Sequence, residues 1–244
     1  MKRVTDFDEL SRSILRCMKP GLLTNCTLSG RELRERTLFS QTWDGGLRLL
    51  EQMPWGWYLR YYCLNADCPE ELPDGTVCET VLRPGQTDEI LQNWGLLPVV
   101  KRLRLARPAD AKKELPLPEP VDPQQVLELL TASFERETGC LPTLSELEQA
   151  AEEGRLLSRF DNGAPVGVLH VKAGKGAWEL RHLAVKESAR GNGVAQSLVK
   201  ELIDRFGDRN IRLWVREDAP AARHIYEKFG FMPDGFTSTV RKKG

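Results

Sequence analysis

The chain has 244 residues, with 35 basic and 35 acidic side chains and therefore no formal net charge; 41% of residues are hydrophobic and 29% charged. That length can bury one large core or two ordinary ones, and the balance is that of a globular chain. Zero net charge gives no electrostatic reason to expect nucleic acid or an anionic membrane as a partner.

The opening, MKRVTDFDEL, places charges where a signal peptide needs an apolar core. No apolar run approaches the roughly 18 residues of a membrane span, so a cytoplasmic location and no membrane partner are expected. Six cysteines stand at 17, 26, 63, 68, 78 and 140. A zinc reading would begin from Cys63, Cys68 and Cys78, whose spacings of four and nine residues form no tight CxxC pair, with all three histidines (His170, His182, His224) far away. Reduced, packed thiols and no metal are expected.

In the first hundred residues Trp43, Trp55, Trp57, Tyr58, Tyr61 and Tyr62 gather large rings near one hairpin. Core packing is the ordinary use of such rings; lining an acceptor pocket is the alternative. Five of the fifteen prolines then fall between Pro108 and Pro123. This composition favours an extended, semi-rigid spacer and divides the chain into 1–107, a linker 108–121, and 122–244.

The two parts resemble each other. QNWGLLP around Gly95 answers EKFGFMP around Gly230, and WYLRYYCL from Trp57 answers WELRHLAV from Trp178. Trp43-Asp44-Gly45-Gly46 answers Phe160-Asp161-Asn162-Gly163, and Thr27-Leu28-Ser29 answers Thr143-Leu144-Ser145. Four matches in one order point to a duplication. From Leu64 to Gly95 is 31 residues, whereas Val185 to Gly230 is 45, and the 14 missing residues are about one helix.

In the second part Asp122-Pro123 opens a helix as N-cap and N1 proline, with Val126, Leu127, Leu130 and Phe134 on one stripe. Thr143 to Glu146 reads TLSE, a capping box for a second helix ending near Glu153. Strands are expected over 155–160, 166–172 and 177–185, with turns at Asp161-Asn162-Gly163 and Gly174-Lys175-Gly176. A helix after Gly193 carries Val194, Leu198 and Leu202 with Ala195, Val199, Ile203 and Phe206 on one broad face. A strand over 211–215, a helix over 220–229 and closing strands over 231–241 complete an α/β pattern with a mixed sheet.

Between strand and helix lies KESARGNGVA, in which Arg190, Gly193 and Ala195 fit Arg/Gln-x-x-Gly-x-Gly/Ala. Small residues let the backbone approach a ligand, the helix start adds partial positive charge, and the Arg190 fork suits phosphate oxygens. A tight turn that merely needs flexible residues has the same look. Neither a P-loop nor a GxGxxG fingerprint is present.

The run LRHLAVKESARGNGVAQSLVKELI, followed by ARHIYEKFGF, resembles the GCN5-related N-acetyltransferase (GNAT) superfamily over residues 122–241. The first part resembles the family only as a degenerate copy, so the whole looks like a tandem arrangement. The resemblance implies acetyl-CoA as co-substrate, without metal. It implies a pyrophosphate site at Arg190, Gly191, Asn192, Gly193, Val194 and Ala195, and backbone contacts to the pantetheine arm, with an oxyanion donor, from Leu183, Ala184 and Val185. Direct transfer to a small-molecule amine or peptide acceptor needs a base and an acid. Glu179 is the candidate base, on the face shared with Arg181 and Leu183 if the strand alternates regularly. A solvated carboxylate paired with Arg181 is the ordinary alternative, and His182, expected on the opposite face, is the rival base. Tyr226 is the candidate acid, its neutral phenol a donor near pH 7; a packed helix residue is the ordinary alternative.

Ala219 stands where many members carry an asparagine that contacts the coenzyme, which leaves Arg223 or His224 for that task. The first copy has Tyr58 and Leu91 in place of Glu179 and Tyr226 and lacks the loop, as expected of a unit without catalysis. Two such units in one chain would replace the dimer of single-unit relatives, so a monomer is expected. A longer acyl donor, or a non-catalytic acyl-CoA-binding sensor or interaction protein, stands as the alternative.

Overall fold

The computed structural model describes residues 1–65, 67 and 71–244, so Cys68 of the zinc reading lies outside the described residues. The chain divides into one unit of Met1–Lys101 with Phe236–Gly244, and a second of Arg102–Gly235.

In the first unit the order is β1 (Lys2–Arg3), α1 (Phe7–Cys17), β2 (Leu23–Thr24), α2 (Gly30–Arg34), β3 (Leu38–Trp43), β4 (Gly46–Met53), β5 (Gly56–Cys63), β6 (Val77–Leu82) and the start of β7 (Leu96–Arg107). β3, β4 and β5 form an antiparallel meander, and β6 then pairs parallel to β5 at Tyr58↔Val77. The aromatic residues serve the core. Trp43 and Tyr61 each meet Trp94 edge-on with ring centroids 5.8 Å apart, and the Tyr61 hydroxyl bonds Thr80 at 2.6 Å. Cys63 and Cys78 are buried in the same cluster, and burial pushes both thiols up to about 12, well away from the thiolate a metal would bind.

The second unit runs α3 (Pro123–Ser133), α4 (Leu144–Glu152), β8 (Leu156–Asp161), β9 (Ala164–Gly174), β10 (Ala177–Val185), α5 (Val194–Phe206), β11 (Asn210–Arg216), α6 (Pro220–Lys228) and the start of β12 (Met232–Lys243). Asp122 caps α3 by accepting from the Gln124 N–H, and the Thr143–Glu146 capping box is present in full. Asn162 and Gly163 both take positive φ, 49° and 77°, which makes the tight hairpin between β8 and β9. The sheet order is β7-β11-β10-β9-β8, with β10 and β11 parallel and the other pairs antiparallel.

One face of this sheet packs Leu169, Leu180 and Leu213 against Leu198, Val199 and Leu202 of α5 and Tyr226 of α6. The other packs Leu156, Val168 and Ala184 against Val126 and Leu130 of α3 and Leu147 of α4. Among the described residues, no helix is long and apolar enough to cross a membrane.

The last strands depart from the expected division at residue 108. Residues 102–107 of β7 pair with β11 and belong to the second unit, whereas residues 237–242 of β12 pair with β6 and belong to the first. The proline-rich stretch lies inside the second unit and is docked there. Lys113 pairs with Asp204 at 2.8 Å, and the Pro116 carbonyl accepts from Arg205 of α5. The N–H groups of Asp110 and Lys113 also bond the carbonyls of Gly207 and Asp204, each at 2.6 Å, and it is the later, proline-rich part that relies on a carbonyl, since proline supplies no N–H.

Candidate active site

The sequence expected β10 to alternate without interruption, but its pairing with β9 shifts register between Leu180 and His182, so Arg181 is the extra residue of a bulge. Leu180 and Leu183 consequently both pack toward α5, and His182 and Ala184 face α3 and α4. Glu179, paired across from Lys172, falls on the α3/α4 side as well; Lys172 in turn reaches Glu146 of α4. Glu179 and His182 therefore share a face. This corrects the expectation that they oppose each other and that Glu179 shares its face with Leu183.

Parallel pairing of β10 with β11 stops at Leu180↔Leu213, while β11 remains paired with β7 through Arg216↔Arg102. Beyond Leu180 the two strands diverge. Residues 182–185 stay paired with β9 and turn their other backbone edge into a wedge. Leu183 and Val185 turn their backbone groups to this edge, whereas Ala184, two residues before the Lys186 N–H that bonds the Val166 carbonyl, turns its own toward β9, which corrects the expectation for Ala184.

At the wide end, residues 186–193 lead into α5. Gly191 and Gly193 are both left-handed, at φ 81° and 76°, a conformation that costs L-residues with a Cβ. A Cβ at either would meet nothing within 4 Å, so open space rather than crowding surrounds this bend. No side chain caps α5, and its first intrahelical donor is Ser197, bonding the Gly193 carbonyl. The N–H groups of Val194, Ala195 and Gln196 thus point out of the helix start unpaired, next to exposed Arg190 and Asn192. The Arg190 guanidinium makes a long 3.4 Å bond from Nε to the Val185 carbonyl. These donors fit a diphosphate.

Two supports escaped the sequence reading. A Cβ on Gly167 would lie 2.4 Å from Val194 Cγ1, so this glycine lets the start of α5 close onto β9; a lone glycine inside a strand pattern was the available signal. Arg159 on β8 donates to Ser197 and Glu201 of α5, and Arg205 donates to the same Glu201. That network fixes α5 against the sheet edge.

The two candidate catalytic side chains lie on opposite faces of the sheet and can meet a common ligand only through the wedge. Glu179 is 42% exposed with Arg181 at 3.8 Å, an ion pair of little energetic weight at such exposure. Tyr226 is buried in the α5/α6 core with its ring edge-on to Phe231 at 5.8 Å, and burial raises its pKa, which keeps the phenol protonated. His182 is a poor base: its Nε2 lies 3.0 Å from the Gly139 carbonyl, and burial pushes it down to about 4. At α6, Ala219 is the N-cap without a capping side chain, His224 is exposed, and Arg223 faces Glu227 at 3.6 Å. A separate cavity of about 610 Å³ lies in the first unit, between the end of α1 and the Trp43–Gly46 turn, and involves none of these residues.

His170 and His182, stacked at 5.8 Å, are held neutral by burial at about 3 and 4, against an ordinary value of 6.5. Folded-state values below the unfolded one mean that the unfolded chain binds these protons first. Stability is therefore complete above pH 6.5 and lost as pH falls toward 3, on the order of 3 kcal/mol per ring. Urea titrations from pH 7.5 to 4 should show this decline, and His170→Leu should flatten it; a profile unchanged by that substitution contradicts the assignment.

The model of the acetyltransferase (GNAT) family matches residues 124–231. The second unit is a GNAT domain. A mycothiol acetyltransferase of Geodermatophilus obscurus is 27% identical over 120 residues, 46% of this chain and 39% of its own length, so the chain spans well under half of that relative. A GCN5-related N-acetyltransferase structure from Sphaerobacter thermophilus superposes with TM-score 0.59 at 16% identity, covering 82% of this chain and 76% of that one. A tandem GNAT protein from the clavulanic acid biosynthesis pathway gives TM-score 0.51 at 12% identity over 82% and 79%. At such identities the structures establish fold alone, and the superpositions cover more of the chain than residues 124–231.

Proposed function

We propose that this chain is an acetyl-CoA-dependent N-acetyltransferase whose GNAT domain carries the whole site. The observation that supports it most is the coincidence of the wedge between β10 and β11 with an uncapped, glycine-lined start of α5 at its wide end. Bound acetyl-CoA would supply the activated acetyl thioester. The backbone N–H groups of residues 191–195 and the Arg190 guanidinium hold the diphosphate, and the free edge at Leu183 and Val185 orients the arm and offers an N–H to the thioester carbonyl. Glu179 accepts a proton from the acceptor ammonium, directly or through water, on the α3/α4 face. Tyr226 gives a proton to the departing sulfur from the α5/α6 face. The acceptor is a small-molecule or peptide amine.

The first unit is read as a degenerate GNAT-like copy. It repeats the meander followed by a parallel strand, yet the connection from β5 to β6 holds no helix among its described residues. Gly95 and Gly230, matched in sequence, are both left-handed at 71° and 80° and both precede a strand. With two such units in one chain, the protein is a monomer in this reading. Thiol release from acetyl-CoA against a panel of amines tests the activity: wild type should turn over at least one amine, and Tyr226→Phe should lower kcat about tenfold or more. Coenzyme binding without turnover across the panel would instead favour a sensor.

A further inference from the structure

The segment joining α3 to α4 is held at two points that flank the wedge. On one side, His182 of β10, 4% exposed, bonds the Gly139 carbonyl through Nε2 at 3.0 Å. A carbonyl only accepts, so the proton sits on Nε2. Phe134, at the start of the segment, packs edge-on against the same ring at 5.4 Å, and His170 backs it with an interplanar angle of 5°. On the other side the Arg102 guanidinium donates to the Thr138 carbonyl. Arg102 belongs to β7 and pairs in register with Arg216, the last residue of β11.

β11 lies between β7 and β10 in the sheet, so the adjacent carbonyls of Thr138 and Gly139 are gripped from strands on both sides of the splay. Leu103 and Leu105 pack toward α5 and α6, so Arg102 points to the α3/α4 side, where His182 and Glu179 also lie. The segment has its own stiffness. The Gly139 N–H closes a turn onto the Glu135 carbonyl at 2.7 Å, a Cβ on Gly139 would come within 2.6 Å of that oxygen, and Cys140 is left-handed at φ 49°.

We propose that residues 134–140 form a strap across the α3/α4 mouth of the wedge, and that His182 and Arg102 are positioning residues which hold it where the acceptor amine enters. This rests on the acetyltransferase reading. The strap takes no part in gripping the coenzyme, whose diphosphate donors are at the start of α5.

Hydrogen–deuterium exchange on the whole chain, combined with steady-state kinetics, separates the possibilities. In His182→Leu and Arg102→Met each strap contact loses its donor, and amides of residues 136–140 should exchange about fivefold to tenfold faster, as expected for one lost hydrogen bond. The amine KM should rise by a similar factor, with kcat and acetyl-CoA affinity within about twofold. His182→Gln, which can keep a donor near the Nε2 position, should restore both readouts. If His182→Leu does not fold, Arg102→Met carries the test alone. Wild-type exchange in that variant, or a loosened strap with an unchanged amine KM, overturns the proposal. A wild-type chain that binds no acetyl-CoA overturns the acetyltransferase reading itself, and the acceptor role of the strap with it.

Discussion

Glu179→Gln is expected to lower kcat for amine acetylation by about 10²–10⁴-fold while acetyl-CoA affinity stays within about twofold. The substitution keeps shape and hydrogen-bonding capacity and removes only the ability to take a proton. Glu179 lies two residues before the bulge on β10, on the face over which α3 and α4 pack, and away from the loop that leads into α5. Its contact with Arg181 at 3.8 Å is loose enough to yield to an incoming ammonium. Losing the carboxylate should therefore affect chemistry and spare coenzyme binding. A kcat near wild type would assign Glu179 to ordinary surface pairing.

Asp88→Ala is expected to cost about 3–5 kcal/mol, a large part of the 5–15 kcal/mol that holds a typical domain folded. Asp88 and Arg241 are each 4% exposed, and both guanidinium bonds to the carboxylate are 2.8 Å long. A third bond goes to the Leu96 carbonyl at 3.1 Å. Removing the carboxylate strands a buried cation on the strand that completes the first unit's sheet. Urea denaturation should show the loss, and Asp88→Leu combined with Arg241→Met should recover much of it because no unpaired charge remains. A loss below about 1 kcal/mol for Asp88→Ala would mean that water reaches the pair.

Local chemistry made much of the second unit legible. The Asp122-Pro123 start, the TLSE box and the Asn162-Gly163 turn fix their own conformations through nearby hydrogen bonds and allowed dihedrals, and each is found where its residues place it. The strand at Ala177–Val185 was legible to the residue. What the strand pattern could not carry was the bulge at Arg181, because one extra residue in a ladder depends on the partner strand, and it reversed the expected relation of Glu179 to His182. The destinations of β7 and β12 were hidden for the same reason: period-two alternation says which face is buried, not which strand lies alongside. The strap was also out of reach. Phe134 fitted the helical stripe of α3, and the anchors at Arg102 and His182 are 36 and 43 residues away from the carbonyls they hold.

The candidate site was legible where backbone geometry demands particular residues. Gly191 and Gly193 stand at positive φ in open space, as a cradle for a ligand requires. Tyr226 illustrates the opposite case, since burial beside Phe231 suits both a proton donor and a core residue.

Calorimetric titration of acetyl-CoA into wild type and Gly193→Val tests the central claim most directly. A valine here must adopt φ near 76° and projects a branched side chain into the bend that the diphosphate would fill. Wild type should bind one acetyl-CoA per chain, and the variant should bind at least about tenfold more weakly with an unchanged circular dichroism spectrum. Absence of binding heat in wild type, or equal affinity in the two proteins, would contradict a diphosphate held at the start of α5.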